Sequence, residues 1–267
     1  MTVKTRWYET DSRFIPGHYQ PATLIDLALS RDIDSHRLLR GTGLFHEDIL
    51  AGQTRLSPQQ FLALIGNSRR LLDADDSSFL FGQRLLPGHY GAASHALGHA
   101  QNLDQALEIL IQQQVLLSPL VTLRLELDEH HAYLYWLDSC GAGEHWRFLL
   151  EASMTSLVAM SQWLSGERLP WTASFSHAEP RYVEQYWVHL GEDTRFERPL
   201  DMLSIPREHL IRDAELFLIE RKVLHHMRLV RPGPLADALH GQGQGGTGKG
   251  AQLADAGDAV HPARHKA

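Results

Sequence analysis

The chain has one cysteine, Cys140, among 267 residues. No intramolecular disulfide can form, as befits a reducing compartment. No apolar run approaches the roughly 20 residues that a membrane-spanning helix needs. The N-terminal Met1-Thr2-Val3-Lys4-Thr5-Arg6 is followed by no apolar stretch of the kind a secretion signal carries. These absences predict a soluble, cytoplasmic protein with no membrane partner. Excess positive charge is missing too: 32 acidic residues against 25 basic ones give a formal charge of -7. A dedicated nucleic-acid binder draws most of its affinity from neutralising phosphates, so this balance argues against the chain gripping DNA by itself. No Gly-x-Ser-x-Gly elbow and no complete P-loop is present. Gly246-Thr247-Gly248-Lys249-Gly250 resembles a P-loop fragment, but its surroundings read as neither strand nor helix. Cys140 has no base fixed beside it by spacing. No catalytic residue and no cofactor is expected.

What is present is a hydrophobic content of 43%, ample for one sizeable core. Residues 1–20 read as a polar N-terminal arm. From Pro21 the apolar period is helical, with Leu24, Leu27 and Ala28 on one face. A short helix over His36–Arg40 stops at Gly41. Ser57-Pro58-Gln59-Gln60 is a helix start: Ser57 caps, Pro58 suits the first helical position and Gln60 completes a capping box. Further helices are predicted over Ser78–Leu85, His89–His99 and Leu103–Leu117, the small residues of the second suggesting close helix packing.

After Ser118-Pro119 the period changes from 3.6 to 2. Val121, Leu123, Leu125 and Leu127 alternate with polar residues, and a second alternating run ends near Asp138. A turn at Glu129-His130 sets Leu125 opposite Leu134 and Leu123 opposite Trp136, leaving Arg124 opposite Tyr135 and Glu126 opposite Tyr133. The longest helix candidate runs from Glu144 to about Ser165, apolar on most sides and therefore central. A strand near Thr172–Ser176, a helix over Glu179–His189, short strands at Thr194–Glu197 and Met202–Ile205, and a last helix from Pro206 into the 220s follow. The fold class is α+β: an N-terminal helical region, then a largely antiparallel sheet packed on a long central helix, in the order β-β-α-β-α-β-β-α. One domain is expected over residues 21–229, and residues 230–267 read as a disordered Gly-rich tail.

Five stretches, in order, carry a family resemblance: Leu38-Leu39-Arg40-Gly41-Thr42-Gly43-Leu44; Arg55-Leu56-Ser57-Pro58-Gln59-Gln60-Phe61; Leu103-Asp104-Gln105-Ala106-Leu107, leading to Leu116-Leu117-Ser118-Pro119-Leu120; Glu144 with Arg147-Phe148-Leu149-Leu150-Glu151; and Pro180-Arg181-Tyr182-Val183 with Thr194-Arg195-Phe196 and Leu203-Ser204-Ile205-Pro206. The chain resembles the arabinose-binding-type N-terminal domain of AraC/XylS-family bacterial transcriptional regulators over about Pro21–Leu218. The resemblance implies a domain that binds a small organic effector and self-associates, here as a homodimer. It also implies two helix-turn-helix units on the order of 100 residues beyond it. The residues after Val223 are too few and too Gly-rich for these, so the DNA-binding half is expected to be missing and DNA to be a partner only if that half is supplied. The alternatives are a DNA-binding regulator in its own right, with a helix-turn-helix in Glu208–Leu229, and a metal-dependent enzyme.

Several residues are candidates for ligand contact. His95 and His99, four apart, share a helix face and could share a metal with a carboxylate, although no third ligand is fixed by spacing and the chain has 17 histidines; groove or surface histidines are the plainer reading, and no metal is expected. Glu144, Arg147 and Glu151 lie along one side of an apolar helix and must pair if buried. Either they form an intrahelical charge cluster, or Arg147 offers its planar fork to an effector carboxylate. Tyr90, Tyr133, Tyr135, Trp136, Trp146 and Trp163 are candidate pocket aromatics, with core packing as the alternative for each. The ligand-binding set is therefore Tyr90, His95, Tyr135, Trp136, Arg147 and Trp163. Arg221, Lys222, His225, His226, Arg228 and Arg231 form a basic patch that also suits a helix C-terminus.

Overall fold

A computed structural model describes residues 9–211. In chain order the elements are β1 (Ile15–Pro16), α1 (Gln20–Leu29), α2 (Ser35–Leu39), α3 (His46–Leu50), β2 (Arg55–Leu56), α4 (Pro58–Leu72), α5 (Ser77–Leu85), α6 (Ala92–Gly98), α7 (Leu103–Gln112) and α8 (Gln114–Leu117). The second half follows with β3 (Val121–Leu127), β4 (His131–Asp138), α9 (Trp146–Ser165), β5 (Thr172–Ser174), α10 (Val183–His189), β6 (Thr194–Arg195) and β7 (Met202–Pro206). The molecule is α+β, helices first and sheet second.

Local chemistry sets the element ends. Ser57 and Gln60 form the reciprocal capping box at the start of α4. Asn102 accepts from the Gln105 amide at 3.0 Å to start α7. Asp128 makes the hairpin turn: its carboxylate accepts from the amides of His130 and His131 at 2.7 and 2.6 Å and from the Tyr133 hydroxyl at 2.8 Å. Those donors hold its pKa down at about 2. The hairpin register is the expected one, Leu125 facing Leu134 and Leu123 facing Trp136, with Arg124 opposite Tyr135 and Glu126 opposite Tyr133.

The five-stranded sheet runs β3-β4-β7-β5-β6. Its pairs are antiparallel apart from β5 with β6, which are parallel. The last strand among the described residues thus sits in the centre. The inner face, with Leu123, Ala132, Leu134, Trp136, Leu203 and Ile205 buried, packs with α9. α9 also meets α5 at Gly82, where a Cβ would lie 2.4 Å from the Ala152 carbonyl oxygen. Glycine there lets the two backbones touch.

Several expectations are corrected. Leu103–Leu117 is two helices, because Gln113 leaves helical geometry at φ -103°, ψ 19°. Of His89–His99 only Ala92–Gly98 is helical, and the helix expected from Glu179 begins at Val183. A small sheet, β1 with β2, was not foreseen: Ile15 pairs with Leu56 and is buried, so the end of the expected arm packs into the domain. Pro206 leads into a single 3-10 turn, Arg207–His209. The rest of the expected last helix, the helix-turn-helix alternative beyond Ile211, the basic patch and the Gly-rich tail lie outside the described residues. Among the described residues, no helix is long and apolar enough to cross a membrane.

Candidate functional site: a polar cleft between two helices

Glu151 lies one turn along α9 from Arg147, 3% exposed in the interior. A carboxylate cannot stay charged there without donors, and it has several. Arg147 Nε donates to Oε1 at 2.9 Å and Ser78 Oγ, from the first turn of α5, donates to Oε2 at 2.6 Å. The Tyr186 hydroxyl, from α10, makes a short hydrogen bond to the same carboxylate, and that of Tyr182 reaches it at 3.4 Å. Arg147 also donates to the Tyr186 oxygen at 3.0 Å and lies over the Tyr182 ring, 5.2 Å from its centroid. Burial disfavours the Arg147 charge, but these acceptors outweigh it and raise the pKa. Burial first, then the Glu151 charge, push Tyr182 up to about 12 and Tyr186 higher still, so both stay protonated donors. His177 Nε2 stands 3.3 Å from the Tyr186 oxygen, its pKa lowered chiefly by burial.

Ser78, Arg147, Glu151 and Tyr182 of this cluster line a cleft of about 640 Å³ between α4, the loop into α5 and the start of α9. The volume falls within the roughly 300–1,000 Å³ of small-molecule sites. Unlike most such sites, its wall is mainly charged and polar, with arginines at positions 40, 69, 70 and 147. Neutral acceptors hold two of them. Arg69 donates to the Glu144 carbonyl at 2.9 Å and contacts His145 Nδ1 at 3.0 Å. Arg70 donates to Asn67 Oδ1 at 2.6 Å. Buried Asn67 in turn donates to the carbonyls of Leu38 and Arg40, pinning the end of α2 to α4. Gly66 makes room for His145, since a Cβ would come 3.0 Å from its ring. Burial, then Arg69, lower the His145 pKa and favour the neutral ring.

Of the residues singled out from sequence, Arg147 lines this cleft and Glu144 stands at its rim with a side chain 85% exposed. The charge pair is Arg147 with Glu151, four apart. Trp136 borders a separate apolar cavity of about 40 Å³ against Leu149 and Leu157, room for roughly one water. Tyr90 is buried edge-on to Tyr19. Tyr135 donates to Glu126 at 2.8 Å on the sheet's outer face, and Trp163 packs against the core. His95 and His99 are exposed, with ring centroids 4.1 Å apart, and no group of three or more metal-ligating side chains forms among the described residues. Sequence reasoning passed over Arg69, Arg70, Asn67, Ser78, Tyr182 and Tyr186 as site residues. The signals available were the Tyr182/Tyr186 spacing of four and a glycine, Gly66, inside an otherwise strong helix.

The described residues thus place a polar, arginine-lined cleft against a buried carboxylate cluster, within an α+β fold. The chain is a member of the family of the N-terminal arabinose-binding domain of AraC transcription regulators, whose pattern matches residues 33–213. That family is a class of transcription-regulatory sensing domains rather than of enzymes. No curated protein matches the chain.

Proposed function

We propose that the α4–α9 cleft is the effector site of this sensing domain, and that its occupancy alters self-association or contact with a partner. The observation that carries the reading is the cleft floor: a buried carboxylate saturated by Arg147, Ser78 and Tyr186, the last two on elements that α9 would otherwise meet only by packing. A ligand touching Arg147 or Tyr182 is thereby coupled to α5, α9 and α10 together. Only a ligand with different affinity for two states can drive a switch, and a cleft walled by several elements provides for such a difference. Self-association as a homodimer is part of the reading, while contact with DNA would depend on a helix-turn-helix.

The test is thermal unfolding against a panel of amino acids, fatty acids, aromatic acids, sugars and divalent metals. A ligand at 100 times its Kd adds about 2.7 kcal/mol, a visible shift. We expect a selective organic hit that Ala63→Trp, which fills the cleft wall, abolishes, and a sedimentation profile that the hit alters. An organic hit indifferent to Ala63→Trp would refute this location, and a metal-only hit would refute the organic-effector reading.

A further inference from the structure

We propose that the cleft is an anion site, taking a carboxylate or phosphate group of the effector on the guanidinium groups of Arg69 and Arg70. The inference rests on the reading of the cleft as the effector site and adds the ligand's chemical class. Its ground is how the arginines of this domain are held. Arg31, Arg147 and Arg195 each meet a carboxylate, on Asp76, Glu151 and Asp193, at 2.9 to 3.0 Å. Arg69 and Arg70 are held instead by a main-chain carbonyl, an imidazole nitrogen and an amide oxygen; Arg55, Arg168 and Arg207 also donate to carbonyls, at 2.9 to 3.2 Å, but none of those three lines the cleft. None of the partners of Arg69 and Arg70 carries a negative charge. The side chains are oriented without being neutralised, the condition for a preorganised anion site.

The acidic groups along the cleft leave that charge available. Glu151 is occupied by Arg147, Ser78 and Tyr186. Asp75 reaches outward to Arg181 at 3.5 Å. Glu144 projects into solvent, with Oε1 3.9 Å from His145 Nε2, and Asp73 stands exposed at the end of α4. Exposed Arg40 adds positive charge at the rim. The position of His145 serves the same end. Its Nδ1 lone pair receives Arg69, so the ring proton sits on Nε2 and the ring is neutral. A guanidinium fork matches the paired oxygens of a carboxylate or phosphate. An uncharged sugar would leave both forks with spare donors and no counter-charge.

The experiment uses the full chain and matched probes at low salt: succinate with succinamide, benzoate with benzamide, inorganic phosphate, and L-arabinose as an uncharged sugar. Titration calorimetry and thermal shift are run on the wild type, Arg70→Gln, the double variant Arg69→Gln/Arg70→Gln, and Ala63→Trp. Arg70 is exposed, so its single variant keeps the test open should the double variant unfold. We expect at least one anion to bind while its uncharged partner does not. We expect its affinity to fall with added salt, to drop at least threefold in Arg70→Gln and tenfold in the double variant, and to vanish in Ala63→Trp. Equal binding of uncharged partners, lost in Ala63→Trp but untouched by the arginine variants, would overturn the anion assignment and leave the cleft reading standing. Anion binding that survives Ala63→Trp would overturn both. Failure of every anion to bind would overturn the anion assignment.

Discussion

Glu151 illustrates how one charged residue organises a neighbourhood. Its carboxylate takes donors from α5, α9 and α10, so removing it strands several partners at once. Glu151→Ala should destabilise the domain by about 2–3 kcal/mol, the cost of leaving buried hydroxyls and half of an ion pair unsatisfied. The figure stands at the low end for a broken buried pair because Arg147 is 37% exposed and water can reach it. Tyr186→Phe removes one donor to the carboxylate and should cost about 1–2 kcal/mol. Urea unfolding of the two variants checks both values, and a loss under 0.5 kcal/mol for Glu151→Ala would mean the cluster is not the anchor described here. At this scale the sequence was half informative. Glu144, Arg147 and Glu151 stood out because charges on an apolar helix have to be resolved. Which acid takes the arginine depended on Tyr182 and Tyr186, some thirty residues further along, which no helical spacing brings near.

Helices and strands differ in how far they could be read ahead. The β3–β4 register was legible because period-2 patterning and two polar pairs agree on one alignment. The capping box of α4 was legible because it is written in four consecutive residues. The split of α7 from α8 was not, since the apolar spacing continues through Gln113 and only the backbone there departs. Strand order escaped for a related reason: β7 between β4 and β5 is a pairing across long intervening segments, which local pattern does not encode. The α5–α9 contact yields a sharp expectation. Gly82→Ala should gain about 1 kcal/mol of helix propensity, yet its Cβ would lie 2.4 Å from the Ala152 oxygen and 2.9 Å from Thr155 Cβ. Overlap with backbone outweighs propensity, and a net loss of about 1–3 kcal/mol is expected. Ser57→Ala, removing half of the capping box, should cost about 1 kcal/mol. Chemical denaturation of both variants distinguishes them by size, and a stabilised Gly82→Ala would show that the helices can part.

For the molecule as a whole, protons are the simplest probe. His145, His177 and His189 all have pKa values lowered, chiefly by burial. The unfolded chain protonates its histidines near pH 6.5, while the folded one resists, so the unfolded state binds more protons as the solution acidifies. Stability should therefore hold above about pH 6.5 and fall below it. A further loss should begin below about pH 4, where unfolded aspartates protonate but Asp128 and Asp193 keep their lowered pKa values. Unfolding midpoints measured from pH 8 to pH 4 test the sign, and a rise in stability on going from pH 7 to pH 5.5 would contradict it. The place of β7 has a consequence for the order of events in time. During synthesis the β3–β4 hairpin and the β5–β6 pair can form early, but they stay two separate pieces with open edges until Met202–Pro206 arrives to join them. Such unjoined edges invite wrong partners. A nascent chain of this domain is thus most vulnerable late, in the interval after β6 has emerged and before β7 completes the sheet.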